Sequence, residues 1–306
     1  MRHLRGLLTG LLLLGNLAIW GTLVLLGGVV KLPLRGEPRR RVILGLAWLA
    51  ERWVAGNDRI FDTMLDTEWD VAGLDDDLDR DGHYLIISNH VSWVDIFAVL
   101  RVFHGRASFI RFFLKQELIW FPIAGQACSA LEFPFMKRYT PEYLEQHPEK
   151  RGTDLETTRR ACERYRDIPV AILNFAEGTR FSRTKQDEQQ SPYGHLLRPR
   201  LGGISFVLAS LGSHIDAFFD VTIAYPGHEI TIWEFLTGRV PRVSVRVRRV
   251  DVPREFFDAA ITEAGPERER FKAWMKELWR QKDALMAELL RAPRSESPAP
   301  RKIAQG

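Results

Sequence analysis

The stretch ISNHVSWVDI, residues 87–96, joins two different kinds of structure. The run YLIIS at 84–88 is continuously apolar and bounded by turn residues, which is typical of a buried strand. The run WVDIFAVLRVF at 93–103 suits a helix. We therefore expect His90 in the turn between the strand and the helix, and Asp95 in the first turn of the helix.

The spacing of His90 and Asp95 can bring an imidazole and a carboxylate together. Five residues on an ideal helix rotate by about 500°, so the two side chains cannot share one helical face. With Ser92 as the N-cap, the helix start would swing the carboxylate toward the ring, fix its tautomer and leave the other nitrogen free to take a proton. Backbone N–H groups at this helix start are also expected to face an oxyanion.

A capping box is the alternative interpretation of the same residues. In the pattern S-x-x-D before an apolar run, Asp95 would satisfy backbone N–H groups and His90 would be an ordinary turn histidine. The capping box explains the aspartate but not the histidine, so both interpretations stay open on the sequence.

Strand-like and helical runs alternate along the rest of the chain, which predicts an α/β fold. We expect strands at 84–88, 108–115, 129–135, 169–175, 217–225 and 243–252, and helices at 93–103, 153–166, 203–212 and 266–290. This pattern predicts one domain over residues 57–291, built on a mixed, mostly parallel sheet flanked by helices. The Pro- and Ser-containing tail at 292–306 is expected to be disordered.

The N-terminal region predicts a membrane anchor. Residues 7–30 carry no charge and are long enough to cross a bilayer as a helix. Their length favours a retained anchor over a cleaved signal peptide, and the lack of a polar face disfavours a buried core helix. Residues 42–55 are apolar apart from Glu51 and Arg52, which suits an interfacial helix. Together these segments define an anchor region at 1–56.

The charge of the chain favours anionic partners. Its 306 residues carry a formal net charge of +4, and basic residues cluster after the apolar N-terminal segment. This cluster predicts that the domain lies on the cytoplasmic side of a membrane. We see no nucleic-acid-binding signature, so phospholipid headgroups are favoured over nucleic acid. His83 and His90 have no third ligand at metal-like spacing, so no metal site is predicted.

Two further stretches place basic residues beside apolar runs. FAEGTRFSRTK at 175–185 follows a predicted buried strand; there Gly178 permits a sharp turn and Arg180 can bind a phosphate through two N–H groups. Glu177 is expected to hold this turn or to pair with Arg180, and a solvated loop is the alternative. The aromatic-rich segment at 113–138 has basic residues at both ends, which would suit an acyl chain beside an anionic headgroup.

Taken in order, these stretches resemble the glycerolipid acyltransferase superfamily, which includes 1-acylglycerol-3-phosphate acyltransferases. The matching stretches are NHVSWVD, FLKQELIWFPIAGQAC, FMKR, FAEGTRF and DVTIAYPG. The H-x4-D element of the family matches at His90 and Asp95, its E-G-T-R element at Glu177, Gly178, Thr179 and Arg180, and its second block at Lys115, Pro122, Gly125 and Arg138. The chain most resembles bacterial acyltransferases with one N-terminal membrane segment. It departs from the family in the last block, where many members carry a proline just before the apolar residues and this chain reads Asp220, Val221, Thr222; this difference puts substrate choice in doubt.

The resemblance implies a reaction and its participants. His90 would act as general base on the free hydroxyl of a lysophospholipid, first of all 1-acylglycerol-3-phosphate, and Asp95 would orient His90. Arg180, Lys115 and Arg138 would hold the phosphate, within a substrate-binding element that also includes Glu177, Gly178 and Thr179. The acyl donor would be acyl-coenzyme A or acyl-acyl carrier protein, with no cofactor, at the bacterial inner membrane. Another lysophospholipid or an amino-lipid as acceptor, or a non-catalytic membrane-tethered scaffold, are the alternatives.

Overall fold

The computed structural model describes residues 1–74, 78–137, 145–147, 153–226 and 230–291. Arg138 and the tail at 292–306 lie outside the described residues. The strands are β1 (Glu68–Ala72), β2 (His83–Ser88), β3 (Ile110–Phe112), β4 (Leu114–Lys115), β5 (Phe135–Met136), β6 (Val170–Phe175), β7 (Ala217–Ala224) and β8 (Arg242–Val250). The α-helices are α1 (Arg2–Lys31), α2 (Gly36–Met64), α3 (Val94–Phe103), α4 (Ala124–Ala130), α5 (Thr153–Tyr165), α6 (Arg183–Glu188), α7 (Leu201–Leu211), α8 (Ile232–Leu236) and α9 (Pro266–Arg291).

Six strands form one sheet in the order β1-β8-β7-β2-β6-β3. Every pairing in this sheet is parallel except the antiparallel pairing of β7 with β8. The predicted mixed, mostly parallel sheet flanked by helices is therefore confirmed. The strand β2 lies between β6 and β7 and runs parallel to both, so the carboxyl ends of these three strands meet at one edge of the sheet.

Apolar cores cover both faces of the sheet. On β2, Tyr84 and Ile86 join the core that includes α3, whereas Leu85 and Ile87 join the core that includes α7 and α9. A strand buried on both faces needs apolar residues at every position, because successive side chains point to opposite faces. This requirement explains why YLIIS is continuously apolar and does not alternate.

Two of the predicted strands differ in the structure. The predicted strand at 108–115 is divided between β3 in the main sheet and β4 in a separate two-stranded sheet with β5. The predicted strand at 129–135 is wrong except at Phe135, the first residue of β5, because α4 continues to Ala130 and a turn follows in which Glu132 has a φ of 65°. Its aromatic residues pack with α1 and α2 in a third apolar cluster. A short apolar run is compatible with a strand and with a helix. Here packing against α1 and α2 favoured the end of a helix followed by a turn.

The helices α1 and α2 pack against each other and against the domain. The buried side of α1 consists mainly of small residues, among them Gly6, Gly21 and Gly28, which allow close approach to side chains of α8, Ile123 and α4. The side chain of Asn16 donates to the backbone oxygen of Trp53 and to Asn57. The predicted interfacial segment at 42–55 lies within α2, which continues through residues 56 and 57 to Met64.

The opposite side of α1 is exposed and apolar. Its exposed side chains are Leu4, Leu7, Leu8, Leu11, Leu12, Leu14, Ile19, Leu23, Leu26, Val29 and Val30. By length and composition α1 could cross a membrane. Lys31, at its C-terminal end, forms an ion pair of 2.8 Å with Glu132, and Arg5, near its N-terminus, pairs with Asp66 at 2.9 Å. Contacts at both ends therefore hold α1 along the domain.

Asp220, in the block where the sequence departs from the family pattern, forms ion pairs with two basic residues. Asp220 lies on β7 with its side chain 3% exposed, and it forms ion pairs with Lys282 of α9 at 2.5 Å and with Arg248 of β8 at 3.0 Å. Lys282 is itself buried and also donates to the backbone oxygen of Val221. These contacts join α9 to the central sheet.

We predict that Asp220→Ala lowers the free energy of unfolding by about 3–5 kcal/mol, because it leaves the ammonium of Lys282 buried without its counter-charge. The double variant Asp220→Leu, Lys282→Met is expected to unfold at a denaturant concentration near that of the wild type, because it removes both charges together. Chemical unfolding in detergent measures both. Equal losses in the single and double variants would contradict this account.

Candidate active site

His90 and Asp95 meet in the turn between β2 and α3. The distance between Nδ1 of His90 and Oδ2 of Asp95 is 2.8 Å. The side chain of Asp95 is fully buried, whereas that of His90 keeps 15% exposure. With Nδ1 turned to the carboxylate, this hydrogen bond sets the tautomer and leaves Nε2 of the imidazole free to accept a proton. The helix α3 begins at Val94, one residue later than expected, with Trp93 at the N-cap position.

Asp95 also caps the turn, so the two interpretations of the sequence apply together. Its Oδ2 accepts from the backbone N–H groups of Val91 at 2.6 Å and Ser92 at 2.8 Å. The N–H of Val94 is directed to the hydroxyl of Ser92 at 3.3 Å. These three amides are therefore already paired, and the expectation that amides at the helix start face an oxyanion is wrong for them.

The loop after β6 holds the His90 turn from the other side. Ser88 and Phe175 are register partners at the ends of β2 and β6. The ring of Phe175 stacks on His90 with centroids 4.1 Å apart and planes inclined by 18°. The backbone N–H of Phe181 donates to the backbone oxygen of His90 at 2.7 Å. The imidazole is thus held by a hydrogen bond at Nδ1 and by an aromatic ring against its face.

Two residues outside the predicted site, Tyr225 and Asn89, complete this arrangement. The phenol of Tyr225 donates to Oδ1 of Asp95 at 2.5 Å, and both side chains are buried. The amide of Asn89 bridges to the backbone N–H and C=O of Ile223, each at 2.9 Å. Their positions gave a signal, because Asn89 directly follows the predicted strand at 84–88 and Tyr225 is the last residue of the predicted strand at 217–225. Which strands are neighbours could not be read from the sequence.

Glu177 is a buried carboxyl group that no donor of the described residues reaches with normal hydrogen-bond geometry. Its side chain is fully buried, and neither oxygen makes a hydrogen bond of normal geometry among the described residues. Burial raises the pKa of Glu177 to about 8, although the nearby backbone N–H groups of His90 and Leu197 favour its charged form. The negative charge of Asp95 raises this pKa further, and Lys282 opposes it. The expected pairing of Glu177 with Arg180 is wrong, because Glu177 points inward whereas Arg180 is exposed.

Gly178 allows a close approach by Arg200. Its φ of +68° lies in the left-handed region, which glycine adopts without strain. A Cβ at this position would lie 2.7 Å from Cδ of Arg200. The backbone N–H of Arg200 also donates to the oxygen of Ala176 at 2.6 Å. The backbone and the aliphatic part of the Arg200 side chain therefore both contact the loop that carries Thr179 and Arg180.

The cations of residues 176–200 divide into two groups. Three are engaged by the protein itself: Arg183 donates to Gln186, Lys185 donates to Thr179, and Arg198 donates to the backbone oxygen of Gln190. The guanidinium groups of Arg180 and Arg200 make no ion pair or hydrogen bond within the described part of the chain. Arg180 lies over the ring of Trp93 at 5.1 Å. The two unpaired guanidinium groups thus belong to Arg180, two residues after Gly178 in the chain, and to Arg200, whose side chain approaches Gly178.

The second block of the family pattern, which includes Lys115, Pro122 and Gly125, makes no side-chain hydrogen bond or ion pair with His90 or Arg180 among the described residues. Lys115 lies exposed at the end of β4, and its side chain makes no hydrogen bond or ion pair with another described residue. Gly125 is in α4, where a Cβ would collide with the backbone oxygens of Leu118 and Ile119. Over the described ranges, no three His, Cys, Asp or Glu side chains are grouped as metal ligands would be.

Comparison with known proteins identifies similar sequences. The sequence model of the Acyltransferase family matches residues 71–225, about half of the chain. The 1-acyl-sn-glycerol-3-phosphate acyltransferase epsilon of Mus musculus is 25% identical over 237 residues, 69% of this chain and 59% of that protein. Lysocardiolipin acyltransferase 1 of Danio rerio is 28% identical over 294 residues, 89% of this chain and 68% of that protein. This chain therefore spans about three fifths to two thirds of these curated relatives.

A solved structure is similar in fold. The crystal structure of the 1-acyl-sn-glycerophosphate acyltransferase PlsC from Thermotoga maritima has a TM-score of 0.54 and 17% identity, over 96% of this chain and 100% of that chain. At this identity the likeness concerns the fold alone. Together with the family match and the curated relatives, it confirms the resemblance to the glycerolipid acyltransferase superfamily.

We predict that Glu177→Gln changes how stability depends on pH. An unfolded glutamate loses its proton near pH 4.5, whereas Glu177 in the folded protein holds its proton up to about pH 8. Between these values the folded state binds more protons, so wild-type stability falls as the pH rises through this window. The glutamine side chain of the variant does not titrate, so the variant does not lose stability in this way. Its free energy of unfolding should therefore rise relative to that of the wild type between pH 4.5 and pH 8.

Thermal unfolding in detergent between pH 4 and 9 measures this difference. Glu188→Gln, at an exposed glutamate at the end of α6, is the matched control and should follow the wild type. Parallel curves for Glu177→Gln and the wild type would contradict a raised pKa at Glu177.

Proposed function

Because the chain belongs to the Acyltransferase family, we propose that it transfers a fatty acyl group from a thioester to the free hydroxyl of a lysophospholipid. We propose 1-acylglycerol-3-phosphate as the main acceptor, which makes phosphatidic acid the product. The observation that carries this proposal is the hydrogen-bonded pair of His90 and Asp95, with Nε2 of His90 unpaired and the ring still partly exposed.

The proposed reaction uses His90 as a general base and then as a general acid. Nε2 takes the proton from the acceptor hydroxyl as its oxygen attacks the thioester carbonyl, and Asp95 stabilises the imidazolium that forms. The carbon–sulfur bond then breaks, and the imidazolium returns the proton to the leaving thiolate. No covalent acyl-enzyme and no cofactor are needed. The donor is acyl-coenzyme A or acyl-acyl carrier protein.

The two unpaired guanidinium groups suit the anionic headgroup of the acceptor. Arg180 can present two parallel N–H groups to a phosphate, and Arg200 adds a second positive charge beside Gly178. We propose that both contact the phosphate. Lys115 and Arg138 remain proposed phosphate ligands from the family resemblance.

We propose that the exposed leucine-rich side of α1 enters a lipid bilayer. Its contacts with the domain at both ends favour a helix that lies within one leaflet along the domain, rather than one that crosses the bilayer away from it. Such a position keeps the site near a substrate that resides in the bilayer. The basic residues that follow α1 support a cytoplasmic location, and the family resemblance supports the bacterial inner membrane.

Another lysophospholipid acceptor is the second candidate. Relatives of this chain include lysocardiolipin acyltransferase 1 and a 2-acyl-1-lysophosphatidylinositol acyltransferase of Saccharomyces cerevisiae. A phosphodiester headgroup would also meet Arg180 and Arg200. The non-catalytic scaffold is less favoured, because a scaffold would have no need of a buried carboxylate hydrogen-bonded to an imidazole.

We predict that His90→Ala lowers the rate of acyl transfer by roughly 100- to 10,000-fold, the usual contribution of a positioned general base. The assay uses oleoyl-coenzyme A and lysophosphatidate with the purified full chain in mixed micelles. His195→Ala, at a histidine of the loop after α6, is the control and should retain activity. A folded His90→Ala protein with wild-type turnover would rule out the proposed base.

We predict that Arg200→Ala and Arg180→Ala each raise KM for lysophosphatidate roughly 10- to 100-fold, because each removes a hydrogen bond to a charged group. Arg198→Ala is the matched control, since Arg198 is exposed but its guanidinium donates to Gln190. With a phosphate-free monoacylglycerol as acceptor, all three variants should behave like the wild type. An equal loss with both acceptors would argue against phosphate binding by these arginines.

A further inference from the structure

We propose that Tyr225 is a positioning residue that controls the basicity of His90 through Asp95. This inference rests on the proposed function for its kinetic consequence, but its effect on the imidazole can be measured without turnover. Tyr225 lies outside the H-x4-D and E-G-T-R elements, and it follows the end of β7, 130 positions from Asp95.

The two oxygens of Asp95 receive different kinds of donor. Oδ2 accepts from Nδ1 of His90 and from the backbone N–H groups of Val91 and Ser92. Oδ1 accepts from the phenol of Tyr225, at 2.5 Å. Val91 and Ser92 belong to the same turn as His90, so their contribution is local. Tyr225, which directly follows β7, donates to this carboxylate from a distant part of the chain.

The position of Tyr225 is fixed independently of His90. The strand β7 is paired with β2 from Tyr84 to Ser88, and the amide of Asn89 holds the backbone of Ile223, two residues before Tyr225. Tyr225 itself is 2% exposed. Burial, together with the charge of Asp95, raises the pKa of its phenol far above the usual range, so the phenol stays a donor throughout the working pH range.

The hydrogen bond has a predictable effect on His90. A phenol that donates to Asp95 draws negative charge toward Oδ1, so less charge remains to stabilise an imidazolium at Oδ2. Without the phenol, Asp95 would favour the protonated imidazole more strongly and the pKa of His90 would rise. A smaller fraction of His90 would then be available as a base near neutral pH.

Other charged groups around this site have to be separated from the effect of Tyr225. Glu177, on the loop after β6, also interacts with Asp95, and Lys282 of α9 interacts with Glu177. Arg180 is on the same loop as Glu177 and lies over Trp93 at the start of α3. Because Glu177 titrates near pH 8, measurements in a Glu177→Gln background remove its contribution.

The test is the titration of His90 in Tyr225→Phe, followed by NMR of the full chain with labelled histidine in detergent. The His90 resonance is identified by its loss in His90→Ala. We expect the pKa of His90 to rise by about 0.5–1 unit, a fraction of the strength of a hydrogen bond to a charged group. The same direction is expected in the Glu177→Gln background.

Tyr165→Phe is the matched control. Tyr165 is also buried, and its phenol donates to the backbone oxygen of Glu132 at 2.6 Å, away from Asp95. This variant should lose stability like Tyr225→Phe but leave the titration of His90 unchanged. In the acyl-transfer assay, the acidic limb of the kcat/KM profile should move to higher pH in Tyr225→Phe and stay in place in Tyr165→Phe.

The outcomes separate this inference from the proposed function. An unchanged His90 titration in folded Tyr225→Phe would overturn the inference, whatever the activity. A shifted titration in a protein without acyl transfer to any lysophospholipid would support the inference and count against the function. Should Tyr225→Phe fail to fold, 3-fluorotyrosine incorporated at position 225 keeps the size and is a stronger donor, so the pKa of His90 should then fall; a rise or no change would overturn the inference.

Discussion

A buried carboxylate must have its charge compensated by hydrogen bonds, and at Asp95 four donors do so. Three come from the turn that follows β2 and the fourth is Tyr225 at the end of β7. Asp95 therefore holds the turn, orients the ring of His90 and ties two neighbouring strands together. A base at this position depends on the sheet, because only parallel strands with aligned carboxyl ends bring these donors to one point.

Glu177 contrasts with Asp95 although both carboxyl groups are buried at the same edge of the sheet. No donor of normal geometry reaches Glu177 within the described ranges, and burial raises its pKa to about 8. Pairs of carboxyl groups whose environments differ in this way can exist in different protonation states at one pH. While Glu177 holds its proton, it adds no second negative charge beside Asp95. Asp95 is then the carboxylate that stabilises a protonated His90.

In the proposed function, the N-terminal helices bring the site close to a substrate that resides in a bilayer. The side of α1 that carries Gly21 and Gly28 packs on the domain, and the opposite side exposes a series of leucines. Small residues permit this close packing because a Cβ at either glycine would meet a neighbouring side chain. The same helix thus combines a tight contact with the protein and an exposed apolar surface, the side that we propose enters a bilayer.

The sequence by itself determined the strand, turn and helix around His90 and Asp95, because their contact depends on local spacing along five residues. It also indicated the sheet class and the loop of Glu177 and Arg180, since each motif follows an apolar run. It did not determine the turn after α4, where a short apolar run suited two structures. The partnerships of Tyr225 with Asp95 and of Asp220 with Lys282 were decided only by the tertiary structure. They depend on the strand order β7-β2-β6 and on where α9 packs, and no local pattern of residues encodes which distant segments become neighbours.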